Sequence, residues 1–168
     1  HQINNYLGTL YEDRMLPNEL LEKVQTNQLK AKFIMTDILY QSQLGSVDHL
    51  LNNVLTNLNT LADANVVLIE EYGSSVLLND ERLIFEEFQE ANNAYRESRL
   101  VIIELMKTKH YPEAVRMNEL SASKRSMTEN KISELKTLNN EIAFQLKEKS
   151  DLYMANGSLI TLSLTALS

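Results

Sequence analysis

The feature that most constrains this fold is an apolar residue at every third or fourth position, sustained along most of the chain. This spacing lines up apolar side chains on one face of an α-helix, whereas a strand would alternate every second residue. Only 4 Gly and 2 Pro interrupt the pattern in 168 residues, a length that suits a single hydrophobic core. The sequence therefore predicts an all-α protein.

The interruptions divide the pattern into helices. Gly45 and Ser46 end the first, Gly73 to Ser75 end the second, and Asn79 or Asp80 can cap the third. Pro112 opens the last, because a first-turn proline loses no hydrogen bond. The apolar seams of the first three predicted helices cover residues 3–38, 47–72 and 84–105, and an uninterrupted helical pattern covers residues 112–154. Short joints predict an antiparallel up-down-up-down four-helix bundle with long first and fourth helices.

Both ends of the chain should project from the same end of this bundle. Pro17 either kinks the first helix or marks its true start, since it cannot donate to the Asp13 carbonyl. The run GSLITLSLTALS (residues 157–168) carries no charge. It is either the beginning of a transmembrane helix, which needs about 20 apolar residues, or a tail packed on the bundle. We expect residues 1–156 to form the bundle and residues 157–168 to begin a second transmembrane helix.

The charge distribution bears on partners. A net charge of −7 argues against nucleic acid or an anionic membrane surface. Basic side chains nevertheless concentrate in the half of the bundle far from the chain ends, where an anion would be received. The alternative is that these charges lie on solvated helix faces.

A polar stretch in the fourth helix indicates where a ligand would bind. Residues 121–131 (SASKRSMTENK) nearly lose the apolar seam, and should lie level with residues 92–99 and with Thr56 and Asn59. Tyr95 and Arg99 are one turn apart, and a guanidinium can hold a carboxylate through two parallel hydrogen bonds. Alternatively, Tyr95 is buried and Arg99 extends to solvent. The predicted ligand-binding residues are Asn59, Asn92, Tyr95, Arg96, Arg99, Lys124 and Thr128.

The sequence contains no pattern typical of a disulfide, a metal site or a catalytic site. With no cysteine, disulfides and thiolate sites are excluded. His1, His49 and His110 lack metal-ligand spacing, and Arg14 is interpreted as structural. The carboxylates of residues 85–90 point to more than one helix face, unlike a general acid and base pair. We therefore expect no metal, no cofactor and no enzymatic activity.

Four segments carry a family resemblance. LYEDRMLPNELLEKV (residues 10–24), YRESRLVIIELMKTKHYPEAVRMNE (residues 95–119) and SELKTLNNEIAF with the final LITLSLTAL follow one another in a specific order. In this order they resemble the four-helix-bundle sensory module of bacterial methyl-accepting chemotaxis proteins, over nearly the whole chain.

The resemblance implies a membrane-spanning receptor, with this domain on the periplasmic or extracellular side of the cytoplasmic membrane. It implies a homodimer that binds a small organic acid and signals through a piston or tilt of helix four. Tyr95 and Arg99 match a Tyr/Arg pair of carboxylate-binding relatives, whereas Asn92 stands where some of them carry arginine, which argues against a multivalent carboxylate. The alternatives are the same module on a sensor histidine kinase or diguanylate cyclase, or a ligand-free dimerisation bundle.

Overall fold

The computed structural model describes residues 15–165 except 46, 48 and 76, with side chains up to Leu152. The described residues form helices and turns and contain no strand. In chain order the helices are α1 (Leu16–Gln43), α2 (Leu51–Ser74), α3 (Asn79–Lys107), α4 (Tyr111–Leu120) and α5 (Ala122–Thr165). The predicted all-α helical bundle is confirmed.

The helices pack in a ring. α1 packs along α2, and α3 packs along α5, while α1 also contacts α4 and α5. α2 and α3, although joined by a short turn, touch at few places. Neighbouring helices therefore pack closely around the ring except between α2 and α3, where a gap remains.

The predicted uninterrupted fourth helix is instead divided at Ser121. The Ser121 hydroxyl is buried and donates to the carbonyl oxygen of Asn118 at 2.8 Å. A serine that bonds back to its own helix competes with the backbone ladder and favours a local turn. α4 is therefore a short separate helix, and α5 continues for 44 residues.

The structure also bears on the chain ends. Pro17 lies in the first turn of α1, which fits its interpretation as a helix-start residue. His1 and Arg14 lie outside the described residues, and the predicted membrane segment at 157–168 falls where side chains are not described. Along the described part of the chain, no helix is both long and apolar enough to cross a membrane.

Two apolar clusters form the core. Near the α2–α3 turn lie Leu20, Leu21, Val24, Ile69, Tyr72, Leu77, Phe85, Phe88, Ile132 and Leu135. Towards the α1–α2 turn lie Ala31, Met35, Ile38, Leu39, Val47, Leu58, Ile102, Met106 and Ala114. Between these clusters every long helix contributes a buried polar side chain: Gln28, Asn65, Ser98 and Thr128. A hydrophilic layer thus crosses the bundle at mid-height, as the polar stretch of the fourth helix predicted.

A buried polar network fastens the α2–α3 turn to α5. The Tyr72 hydroxyl donates to Glu81 Oε1 at 2.8 Å, and Asn139 Nδ2 donates to the Tyr72 oxygen at 3.1 Å. Glu81 Oε2 accepts from the Leu78 backbone N–H at 3.2 Å, so Glu81 caps α3 in place of the expected Asn79 or Asp80. The network holds α2, α3 and α5 together at the α2–α3 turn, next to the stretch where α2 and α3 are separated.

Gly73 is required at this turn because Phe85 packs directly on it. A Cβ added at Gly73 would lie 2.9 Å from Phe85 Cε1, and the Phe85 ring is buried in the core. We expect Gly73→Ala to lower the free energy of unfolding by about 1–2 kcal/mol, the overpacking cost exceeding the gain in helix propensity. Urea denaturation measures this, with Asn57→Ala, at an exposed position of α2, as the control for propensity. A Gly73→Ala protein as stable as the parent would contradict the packing described here.

Candidate ligand-binding groove

The gap between α2 and α3 forms a groove of about 560 Å³ at the level of the hydrophilic layer. α2 contributes mainly apolar and amide side chains, and α3 contributes amide and charged ones. The lining residues are Ala62, Asn65, Val66, Ile69 and Glu70 from α2, and Glu86, Gln89, Glu90, Asn92, Asn93, Arg96 and Arg99 from α3. This volume and mixture of groups suit a small polar molecule.

The groove contains two neighbouring guanidinium groups. Arg99 is half-buried and lies over the Tyr95 ring, with its Cζ 5.0 Å from the ring centroid. Burial lowers the pKa of Arg99, and the positive charge of Arg96 acts in the same direction against an opposing effect of Tyr95. Among the described residues, no carboxylate lies within 4.0 Å of either guanidinium. The pair is therefore a concentration of positive charge that lacks a counter-ion within the described part of the chain.

Two amides of the groove are tied to α1. Asn27 Nδ2 donates to Asn65 Oδ1 at 3.0 Å, and Gln28 Nε2 donates to Asn92 Oδ1 at 3.2 Å. Both carbonyl oxygens are thus used inside the bundle. The amide NH₂ groups of Asn65 and Asn92 are the donors that could serve a ligand carboxylate.

The sequence matches a known family over most of its length. A family model described as a four-helix-bundle sensory module for signal transduction matches residues 1–153. The chain belongs to this family, the sensory module of chemotaxis proteins. Its members are sensory and signalling modules and not catalytic domains. No curated protein and no solved structure matches the chain significantly.

Three of the predicted binding residues line the groove of this sensory module: Asn92, Arg96 and Arg99. Tyr95 is buried and does not line it, although its ring supports the Arg99 guanidinium from below. Asn59 is exposed and lies outside the groove. That these side chains bind a ligand stays a prediction.

Lys124 and Thr128 lie on α5, which packs on α3. Lys124 Nζ donates to Ser98 Oγ at 2.9 Å, and Thr128 Oγ1 donates to the Lys124 carbonyl at 3.0 Å. Neither belongs to the groove lining. Thr128 belongs to the hydrophilic layer, while Lys124 joins α5 to α3 through Ser98 and so supports the α3 wall of the groove.

Sequence reasoning missed several lining residues, above all Asn65 and Asn93. Asn65 carries a signal in the sequence, because it interrupts an otherwise apolar seam in the second helix. Asn93, Gln89 and the glutamates of the groove carry none, since polar residues are ordinary on a helix flank. No group of three or more His, Asp or Glu side chains that could hold a metal ion occurs among the described residues.

Proposed function

We propose that this sensory module is the extracytoplasmic ligand-binding domain of a transmembrane chemoreceptor and that it binds a small organic carboxylate in the groove between α2 and α3. The observation that carries the proposal is the Arg96/Arg99 pair, which meets no carboxylate of the described residues. Burying a cation without a partner costs free energy, and a ligand carboxylate would offset that cost through charge-assisted hydrogen bonds.

Binding of a ligand in the groove can change the packing of the other helices. A ligand that contacts both walls would draw α2 and α3 together, because these helices touch little without it. Asn65 and Asn92 are bonded to consecutive residues of α1, so closure would also shift α1. Such a ligand shifts the bundle towards the closed packing only if it binds the closed packing more tightly than the open one. Displacement of α1 or of α5 would then carry the signal towards the membrane.

A thermal-shift screen tests the proposal. A ligand at 100 times its dissociation constant stabilises its protein by about 2.7 kcal/mol, which for a domain of this size raises Tm by roughly 5–10 °C. We expect small mono- and dicarboxylic acids to include such a ligand, and neutral sugars of similar size to give no shift. A panel in which sugars stabilise the domain and no acid does so would refute carboxylate sensing.

The output domain and the homodimer stay predictions. The same groove would serve a sensor histidine kinase or a diguanylate cyclase equally well. For a homodimer, α1 and its C-cap residue offer a second, exposed seam: Leu29, Phe33, Tyr40 and Leu44. Sedimentation equilibrium of the domain with and without ligand measures the association, and a monomer under both conditions would contradict it.

A further inference from the structure

Two consecutive residues of α1 are bonded to opposite walls of the groove. Asn27 Nδ2 donates to Asn65 Oδ1 on α2 at 3.0 Å, and Gln28 Nε2 donates to Asn92 Oδ1 on α3 at 3.2 Å. Consecutive side chains of a helix point about 100° apart, so a single helix can reach both walls from behind. Neither Asn27 nor Gln28 lines the groove itself. They can therefore act on a bound ligand only through Asn65 and Asn92.

These two bonds decide which atoms of the wall amides face the groove. An asparagine amide has an oxygen that accepts hydrogen bonds and an NH₂ group that donates them, on opposite sides of the same carbon. Because both oxygens are held towards α1, both NH₂ groups are turned away from it. Neither Nδ2 atom donates to another described residue, and neither is enclosed away from solvent. Since Asn65 and Asn92 line the groove, both walls present hydrogen-bond donors to its interior.

We propose that Asn27 and Gln28 are positioning residues of the binding site, which fix the amides of Asn65 and Asn92 as hydrogen-bond donors towards the ligand. This inference rests on the proposed function and adds two residues of a third helix to the site. An amide without such a bond is free to turn over and present its oxygen, which repels a carboxylate. An amide held in place loses less conformational freedom on binding and offers the donor that a carboxylate needs.

The Gln28→Glu substitution reverses the bond to the α3 wall. An ionised glutamate accepts but cannot donate, so the Asn92 amide must turn its NH₂ group towards α1 and its oxygen towards the groove. At about pH 8, well above the ordinary glutamate pKa, NMR measures how fast the Asn92 Nδ2 protons exchange with water in the ligand-free protein. We expect exchange to slow by about 10-fold, as a hydrogen bond to a charged acceptor allows. Exchange as fast as in the parent protein would overturn the proposed orientation.

The Asn27→Asp substitution makes the same reversal on the α2 wall. Gln28 is 7% exposed, whereas Asn27 is only half-buried, so position 27 tolerates a carboxylate more readily. The Nδ2 protons of Asn65 should become protected in the same way. The orientation can therefore be tested even if Gln28→Glu does not fold, and unprotected Asn65 protons in Asn27→Asp would contradict it.

Calorimetric titration with acetate, pentanoate, succinate and benzoate measures the effect on binding. For the acid that binds most tightly, we expect Gln28→Glu to lower the affinity by about 10-fold or more, because a hydrogen bond to a charged group is lost. This loss should be at least about 3-fold smaller in a protein that already carries Asn92→Ala, since the positioning residue then has no amide to orient. Gln25→Glu is the matched control, because it adds the same charge to an exposed face of α1 outside the groove.

The outcomes separate this inference from the function on which it rests. An equal loss of affinity with and without Asn92 would show that the added charge alone weakens binding. That result would overturn the positioning role and leave carboxylate binding intact. If none of the four acids binds to the parent protein, the proposed function fails and this inference fails with it.

Discussion

Replacing Arg99 by alanine is expected to weaken carboxylate binding to the sensory module by about 100-fold, because truncating one member of a hydrogen-bonded charge pair that the bound ligand buries costs roughly 2–5 kcal/mol. Arg99 is the more buried of the two groove guanidiniums, and its low-dielectric surroundings strengthen the attraction for an anion. The exposed Arg96 should contribute less, so Arg96→Ala should lose about 10-fold or less.

The Arg99→Ala protein should remain folded. Loss of the cation–π contact with Tyr95 should lower the free energy of unfolding by about 0.5–1 kcal/mol. Part of this loss is offset, because the half-buried cation no longer has to be desolvated on folding. Calorimetric titration measures the affinity, and Arg82→Ala is the control, because Arg82 is an exposed residue of α3 outside the groove. Equal affinity in the Arg99→Ala and Arg82→Ala proteins would place the ligand elsewhere.

The largest loss of stability is expected from Glu81→Ala. The Glu81 side chain is fully buried and accepts hydrogen bonds from the Tyr72 hydroxyl and the Leu78 backbone N–H. Removing the carboxylate leaves these donors without that acceptor and opens a cavity at the α2–α3 turn. A buried hydroxyl that loses its acceptor costs about 1–3 kcal/mol and the cavity adds to this, so we expect the free energy of unfolding to fall by about 3 kcal/mol or more.

Urea denaturation measures this loss from the shift in midpoint at constant slope. Glu97→Ala removes a carboxylate from the same helix at an exposed position, and should change stability by less than about 0.5 kcal/mol. A Glu81→Ala protein that unfolds at the same urea concentration as Glu97→Ala would show that the network contributes nothing to the bundle.

Much of the fold could be predicted from periodicity alone. Burial of an apolar stripe decides where a helix forms, so the seams through Leu58, Ile102 and Ile132 marked the correct faces. Helix ends were harder. The break at Ser121 depends on a buried hydroxyl that bonds to Asn118, and serine is equally compatible with a continuous helix. The cap by Glu81 depends on its burial against Tyr72, which no local pattern reveals.

The site was predictable in part. The loss of the apolar seam indicated a hydrophilic layer, and the one-turn spacing placed Arg99 beside Tyr95. On α2, Asn65 lines the groove, whereas Asn59 lies on an exposed face outside it. The gap between α2 and α3 could not be predicted from the spacing of apolar residues, because it depends on how all the helices pack together.

A crystal structure of the domain soaked with the acid that gives the largest thermal shift tests the central claim most directly. We expect carboxylate oxygens within about 3 Å of the Arg99 guanidinium, at hydrogen-bond distance, with the ligand between α2 and α3. A ligand bound between α1 and α5, with the Arg96/Arg99 groove filled by water alone, would contradict the account.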